Sequence, residues 1–374
     1  MNIYHCYILR NLILAAVLAI GFASSALAQD HALLVDLNSK EVTDLGTLGG
    51  DRSYANAINN AGQVVGQSYT YNGPPHAFIT GPDSAGMNDL GTLGGGYSFA
   101  YGINDMGQVV GQSTTENRQT HAFITGPNGI GMTDLGTLGG SFSSASGIND
   151  AGQVVGVSTT ANGQDHAFIT GPNGIGMTDL GTLGRGYSFA FGVNDMGQVV
   201  GVSTTANGQY HAFITGPNGG GMTDLGTLGG SFSSASGIND AGQVVGRSYT
   251  AGDRETHAFI TGPDGAGMTD LGTLGGDFSY ALGINDTGQV IGVAGTDNGF
   301  GRAFITGPDG AGMTDLASLV NPPLGFTDFG YPSAINNHGQ LATVGTVVPE
   351  PEMYAMLLLG LGFVGFLARG RATA

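Results

Sequence analysis

The sequence predicts an all-β fold in which one small sheet is repeated along the chain and the array closes on itself. Three observations carry this prediction. The Asp that opens Asp-Leu-Gly-Thr-Leu falls at Asp44, Asp89, Asp134, Asp179, Asp224 and Asp270, and in altered form at Asp315, in steps of 45 residues with a single step of 46. A period of this length marks an array of one supersecondary unit. Within each unit, short runs rich in β-branched residues alternate with Gly, Asn, Asp and Pro turn signals, and no helical period intervenes. Finally, the array begins with the second half of a unit and ends with the first half. Together these features predict a seven-bladed β-propeller of four-stranded antiparallel blades, closed by N-terminal and C-terminal half-blades.

The elements follow in order from one copy. Residues 144–148 (SASGI) form the first strand, and 149–152 (NDAG) a tight turn in which Asn and Asp bond the backbone and Gly takes positive φ. Residues 153–158 (QVVGVS) are too short for a helix and suit a second strand. After the turn 161–163 (ANG), residues 166–170 (HAFIT) give the third strand; after the turn 171–174 (GPNG), residues 177–183 (MTDLGTL) give the fourth. A β-solenoid would have a shorter period. Small residues in the first segment suit a strand nearest a crowded axis, and apolar residues on both faces of the third suit a sheet sandwiched between neighbours.

Counting favours a closed ring over an open solenoid. The Asn of the first turn occurs at Asn59, Asn104, Asn149, Asn194, Asn239, Asn285 and Asn336. The third-strand position occurs at His31, His76, His121, His166, His211, His257 and Arg302. Residues 31–48 supply two last strands and residues 333–344 two first strands, so joined they complete one blade and cover both open edges. The closing unit is irregular: Asp315-Leu-Ala-Ser-Leu replaces the usual motif, and residues 321–331 lengthen the loop, as terminal repeats often do.

Composition limits the partners. Net charge is −18, Lys40 is the one lysine, and charged residues make up 10% of the chain. Nucleic acid and anionic membrane surfaces are poor partners, because phosphate binding needs clustered Lys and Arg. The 70 glycines sit at fixed places beside regularly spaced apolar residues, which argues against disorder. Cys6 is the sole cysteine and falls in a segment expected to be removed, so no disulfide supports the fold.

Both ends read as addresses. Residues 1–28 resemble a secretory signal peptide: Arg10, an apolar run, then Ala26-Leu-Ala28 as the cleavage site before Gln29. Residues 29–347 hold the repeats. Residues 348–374 carry Pro349-Glu350-Pro351, an apolar stretch of short transmembrane length, and a basic end at Arg369 and Arg371. This order resembles the PEP-CTERM sorting signal. The resemblance implies an exosortase-type processing partner, a membrane contact through the tail before processing, and a Gram-negative envelope, outer surface or extracellular matrix as destination. The basic end departs from the pattern, its two arginines being split by Gly370.

The repeats, from 31 to 346, resemble the HAF family of extracellular bacterial repeats. The motif stands at His76-Ala-Phe78, His121-Ala-Phe123, His166-Ala-Phe168, His211-Ala-Phe213 and His257-Ala-Phe259, and departs at His31-Ala-Leu33 and Arg302-Ala-Phe304. The family implies an exported repeat protein, and no catalytic residue is carried over from it.

The repeated His at the third-strand position invites a metal, but equivalent residues of different blades lie on a ring, and zinc needs ligands about 2.1 Å from one ion. A structural role inside each blade is expected for His76, His121, His166, His211 and His257, with Arg302 as a substitute donor. The turn aspartates Asp105, Asp150, Asp195, Asp240 and Asp286 each bring one carboxylate, against the six to eight oxygens of calcium, so turn formation accounts for them. Near-interchangeable repeats and the absence of nucleophile, phosphate-loop and zinc motifs predict no catalytic residue, no cofactor and no enzyme. Arg185, Arg247, Arg302, Tyr97 and Tyr187 break the repeat and read as drift or a tuned surface. The expected role is structural or adhesive, with exopolysaccharide as a partner; the alternatives are a propeller-type polysaccharide-active enzyme or a calcium-stabilised adhesin.

Overall fold

The computed structural model describes residues 29–320 and 326–347. The expected signal segment, residues 321–325 and the tail with Pro349, Glu350, Pro351, Arg369 and Arg371 lie outside the described residues. Among the described residues the body of the fold is 30–320 with 328–345.

Each repeat forms a four-stranded antiparallel sheet. In one copy the strands are Gly139–Ile148, Val154–Thr160, Asp165–Thr170 and Met177–Asp179, paired in chain order. The first strand is longer than its sequence suggests, starting at Gly139 rather than Ser144. The fourth is shorter, because the Asp179 carboxylate accepts the Gly181 N–H at 2.7 Å and turns the chain. The Asn149 turn closes with Gly152 N–H on Asn149 O at 2.9 Å, Gly152 standing at φ 74°. Among the described residues the helical elements are single 3₁₀ turns of three residues, such as Pro172–Gly174.

A bulge shapes the first strand. Pairing runs from Ala145↔Gly156 to Gly147↔Val155, so one strand carries an extra residue and bends. At this bend the Ser144 carbonyl lies 2.0 Å from where a Cβ on Gly156 would sit, which is why the second strand reads Val-Val-Gly.

The core lies between sheets rather than within one. Val110, Ala122 and Ile124 of one repeat pack on Ala145, Val154 and Phe168 of the next, all buried. Phe123, Phe168, Phe213 and Phe259 are each fully buried in this way. Both termini enter the same scheme. The strands Glu41–Asp44, Gln29–Asp36, Gln340–Val347 and Phe326–Ile335 form one sheet in that order. It packs on both sides: Ala32, Leu34 and Ala342 meet Ala55, Val64 and Phe78, while Val35 and Leu341 meet Ile291 and Ile305.

Candidate ligand-binding funnel

The first strands bring equivalent residues of every repeat around one axis. At the turn end, each Asn Nδ2 donates to the carbonyl of the Asn in the next repeat. The circuit runs from Asn59 to Asn104 at 3.0 Å, through Asn149, Asn194, Asn239 and Asn285, to Asn336, whose Nδ2 returns to Asn59 O at 3.0 Å. A second circuit lies over it. The N–H of Asp105 donates to Asp150 Oδ1 at 2.9 Å, and Asp150, Asp195 and Asp240 continue the pattern. Asn337 and Asn60 interrupt the carboxylates, donating Nδ2 to Asp286 at 2.6 Å and Asp105 at 2.8 Å. The carboxyls of Asp150 and Asp240 are raised above their usual range by burial, and neighbouring carboxylates add to this against the N–H bond each accepts. These residues line a cavity of about 240 Å³. Among the described residues no group of three or more His, Cys, Asp or Glu is placed to hold a metal ion.

Further along the axis the wall changes character. One position of successive first strands holds Asn56, Tyr101, Ser146, Phe191, Ser236, Leu282 and Ser333, and all but Ser146 line a second cavity of about 260 Å³. Aromatic side chains continue from this wall because the strand's period of two keeps alternate residues on one face. Tyr97, Phe99 and Tyr101 alternate with the buried Ser98 and Ala100; their ring centroids are 5.2 Å and 6.4 Å apart. Phe278 and Tyr280 repeat the pattern at 5.4 Å. Phe191 is 40% exposed and Tyr187 44%, so this apolar surface meets water. Burial, with a contribution from Tyr97, raises the Tyr101 phenol above its usual range and keeps it a neutral hydroxyl. The Asn56 amide is spoken for, donating to Gln67 at 2.6 Å and to Ala100 O at 2.7 Å. The arrangement can stack a flat ligand on rings while serine hydroxyls offer hydrogen bonds at its edge.

The repeated histidines lie elsewhere. His76 Nδ1 is 2.9 Å from Asp89 on the neighbouring strand of its own sheet, and His121, His166, His211 and His257 meet Asp134, Asp179, Asp224 and Asp270 at 2.8 Å. Arg302 takes the same place against Asp315 at 3.4 Å. None of these residues lines either axial cavity. In the first pair, burial raises Asp44, but hydrogen bonds from His31 and the Gly46 N–H outweigh it and leave the carboxyl low. Gln29 of the expected cleavage site begins the first strand; Ala26 and Ala28 lie outside the described residues.

The aromatic wall is what sequence reasoning missed. Its signal was present, as Tyr-Ser-Phe-Ala-Tyr at 97–101 alternates with period two, but aromatics there read as drift until the first strands were gathered around one axis.

Stacked four-stranded sheets around an axial funnel define a β-propeller, and solved structures share it. The chain is similar to a TolB protein from Agrobacterium tumefaciens at 11% identity and TM-score 0.50, covering 86% of this chain and 99% of that one. It is similar to the β-propeller domain of the Trilobed protease from Pyrococcus furiosus at 11% identity and TM-score 0.52, covering 75% and 86%. It is also similar to a prolyl endopeptidase at 12% identity and TM-score 0.55, covering 83% of this chain and 46% of that one. At these identities the likeness shows the fold alone. A search of the curated proteins finds no match. Residues 347–372 match the PEP-CTERM protein-sorting motif, which marks an exported protein with an envelope or surface destination and implies processing by an exosortase. Among the described residues no helix is long and apolar enough to cross a membrane, and the expected tail helix lies outside them.

One expectation is corrected. The sequence reading excluded an enzyme, yet propellers of this fold occur in peptidase chains such as the prolyl endopeptidase. The exclusion rested on interchangeable repeats and missing linear motifs. The axis is not symmetric in its side chains, as Tyr101, Ser146, Phe191 and Leu282 show, so repetition does not forbid a unique constellation there.

Proposed function

We propose that this chain is an exported, seven-bladed propeller of the HAF-repeat type that binds a glycan of the cell surface or exopolysaccharide matrix in its axial funnel. In this reading residues 1–28 are a signal peptide and residues 348–374 a sorting tail. Seven blades are supported by the asparagine circuit, whose seventh member donates back to the first. The observation that carries the binding reading is the funnel wall, where Tyr101, Phe191 and Leu282 stand with Ser236 and Ser333. Sugar rings present apolar C–H faces and hydroxyl edges, and an aromatic platform beside Ser hydroxyls matches both. Serial weak contacts along a polymer would add avidity.

The test is titration calorimetry of the purified body with the native exopolysaccharide, scored in parallel for newly released chain ends. Phe191→Ala with Tyr101→Ser should weaken binding on the order of tenfold, and His166→Ala, away from the funnel, should not. Equal binding by the funnel variant and the wild type would remove the reading.

A further inference from the structure

Arg247 is the one arginine of the second strands, and its surroundings are unlike those of any equivalent residue. It stands opposite Ser234 on Val244–Thr250, where other repeats carry Gln67, Gln112, Val157, Val202 and Val293. The side chain is exposed, and its guanidinium carbon lies 5.7 Å from the ring centroid of Phe232 and 5.2 Å from that of Tyr280, on the next first strand. Among the described residues it forms no ion pair and no side-chain hydrogen bond. What sets it apart from Arg302, which meets Asp315, is that its guanidinium lies against two rings and no carboxylate. An arginine held by ring faces retains in-plane N–H donors in the fork that matches a carboxylate. The facing first strand, Gly229–Ile238, carries Ser234 and Ser236 where its neighbours carry Phe189 and Phe191 or Tyr280 and Leu282; Arg247 pairs with Ser234, two residues from the Ser236 that lines the second cavity.

We propose that Arg247 is the acid-sugar subsite of the funnel, receiving the carboxylate of a uronic acid residue whose ring stacks on the neighbouring aromatics. The inference rests on the funnel being a glycan site. Net negative charge opposes a polyanion at long range, but at 0.15 M salt the screening length is about 8 Å, so the local charge decides. One arginine gives one carboxylate contact, which distinguishes this site from the tracked backbone of a nucleic acid.

The experiment compares a polyuronate with its carboxyl-reduced form, titrated against the wild type, Arg247→Gln, Arg247→Lys and Phe191→Ala at 0.15 M salt. Gln is the residue of two equivalent positions, so Arg247→Gln should fold, and matched thermal melts check it. The wild type should bind the polyuronate at least tenfold more tightly than the reduced polymer. Arg247→Gln should lose that preference while keeping its affinity for the reduced form, with Lys intermediate. Equal binding of polyuronate by Arg247→Gln and the wild type, with Phe191→Ala weakened, would overturn the arginine subsite and leave the funnel standing. Unchanged binding by Phe191→Ala, or no binding by the wild type, would overturn both.

Discussion

Ser98 shows how single residues hold neighbouring sheets together. It is fully buried, accepts the Ala77 N–H of the preceding repeat at 2.8 Å and donates to Gly91 O at 2.5 Å. Ser53, Ser143, Ser188, Ser233 and Ser279 make the same two bonds. The small residues expected near the axis are therefore polar connectors as well as space savers. At the same scale, the aspartate ring holds part-buried carboxylates, a cost to which neighbouring charges add and which can be tested. Asp150 has a raised carboxyl in the folded protein, so its ionised form costs stability above that range, and the cost disappears as pH falls through it toward the unfolded value. Asp150→Asn keeps the Oδ1 that accepts the Asp105 N–H, as Asn60 and Asn337 do in their own places. With screening at this largely solvated mouth, the variant should gain on the order of 0.5 kcal/mol at pH 7, about 1–2 °C in Tm. Melts at pH 7 and pH 4 check it: the gain should shrink at the lower pH, and a constant gain would assign it to something other than charge.

The strands and turns were the most legible elements. Short β-branched runs and Asn-Asp-x-Gly turns fall where hydrogen bonds close them, with Asn149 N–H on Gln153 O at 3.2 Å and Gln153 N–H on Asn149 Oδ1 at 2.9 Å. The ends of strands were not legible, because they depend on partners in other strands and on side chains that stop the ladder, such as Asp179. The bulge was hidden for the same reason, although Gly156 marks it. Gly156→Ala would place a Cβ 2.0 Å from the Ser144 carbonyl, and that backbone atom cannot move without breaking the pairing. The cost should be about 3 kcal/mol or more. Gly163, at φ 79° with no atom within 4 Å of where its Cβ would sit, is the control, and Gly163→Ala should cost only about 1 kcal/mol of left-handed backbone strain. Urea midpoints of the two variants compare them directly, and equal losses would contradict the steric account.

At the scale of the whole molecule, one sheet joins the two ends of the repeat array. Gln29–Asp36 lies beside Gln340–Val347, and Asn38 Nδ2 reaches His338 O at 2.8 Å across that join. Removing residues 29–46 would leave the Gln340–Val347 edge unpaired and strip Ala32, Leu34 and Val35 from two core clusters. The truncated chain should aggregate or melt at least 10 °C lower, on the order of the loss of several buried apolar side chains. A peptide of residues 29–46 added in trans should restore it. Gel filtration and thermal melts read both effects, and a truncated monomer that melts like the full chain would show that the join does not hold the ring.

Period, strand chemistry and the complementary half-repeats are local or countable, so the sequence alone determined the repeated sheet, its turns and the pairing of the two ends; the sorting motif is likewise linear. Which side chains share a cavity was decided only by tertiary structure. Tyr101, Phe191 and Leu282 are separated by dozens of residues and unlike their repeat equivalents, and the period-two aromatics at 97–101 mark one strand face without saying which other residues join it. Curvature around the axis brings one residue from each first strand to the same depth. That convergence turns scattered aromatics into a single surface.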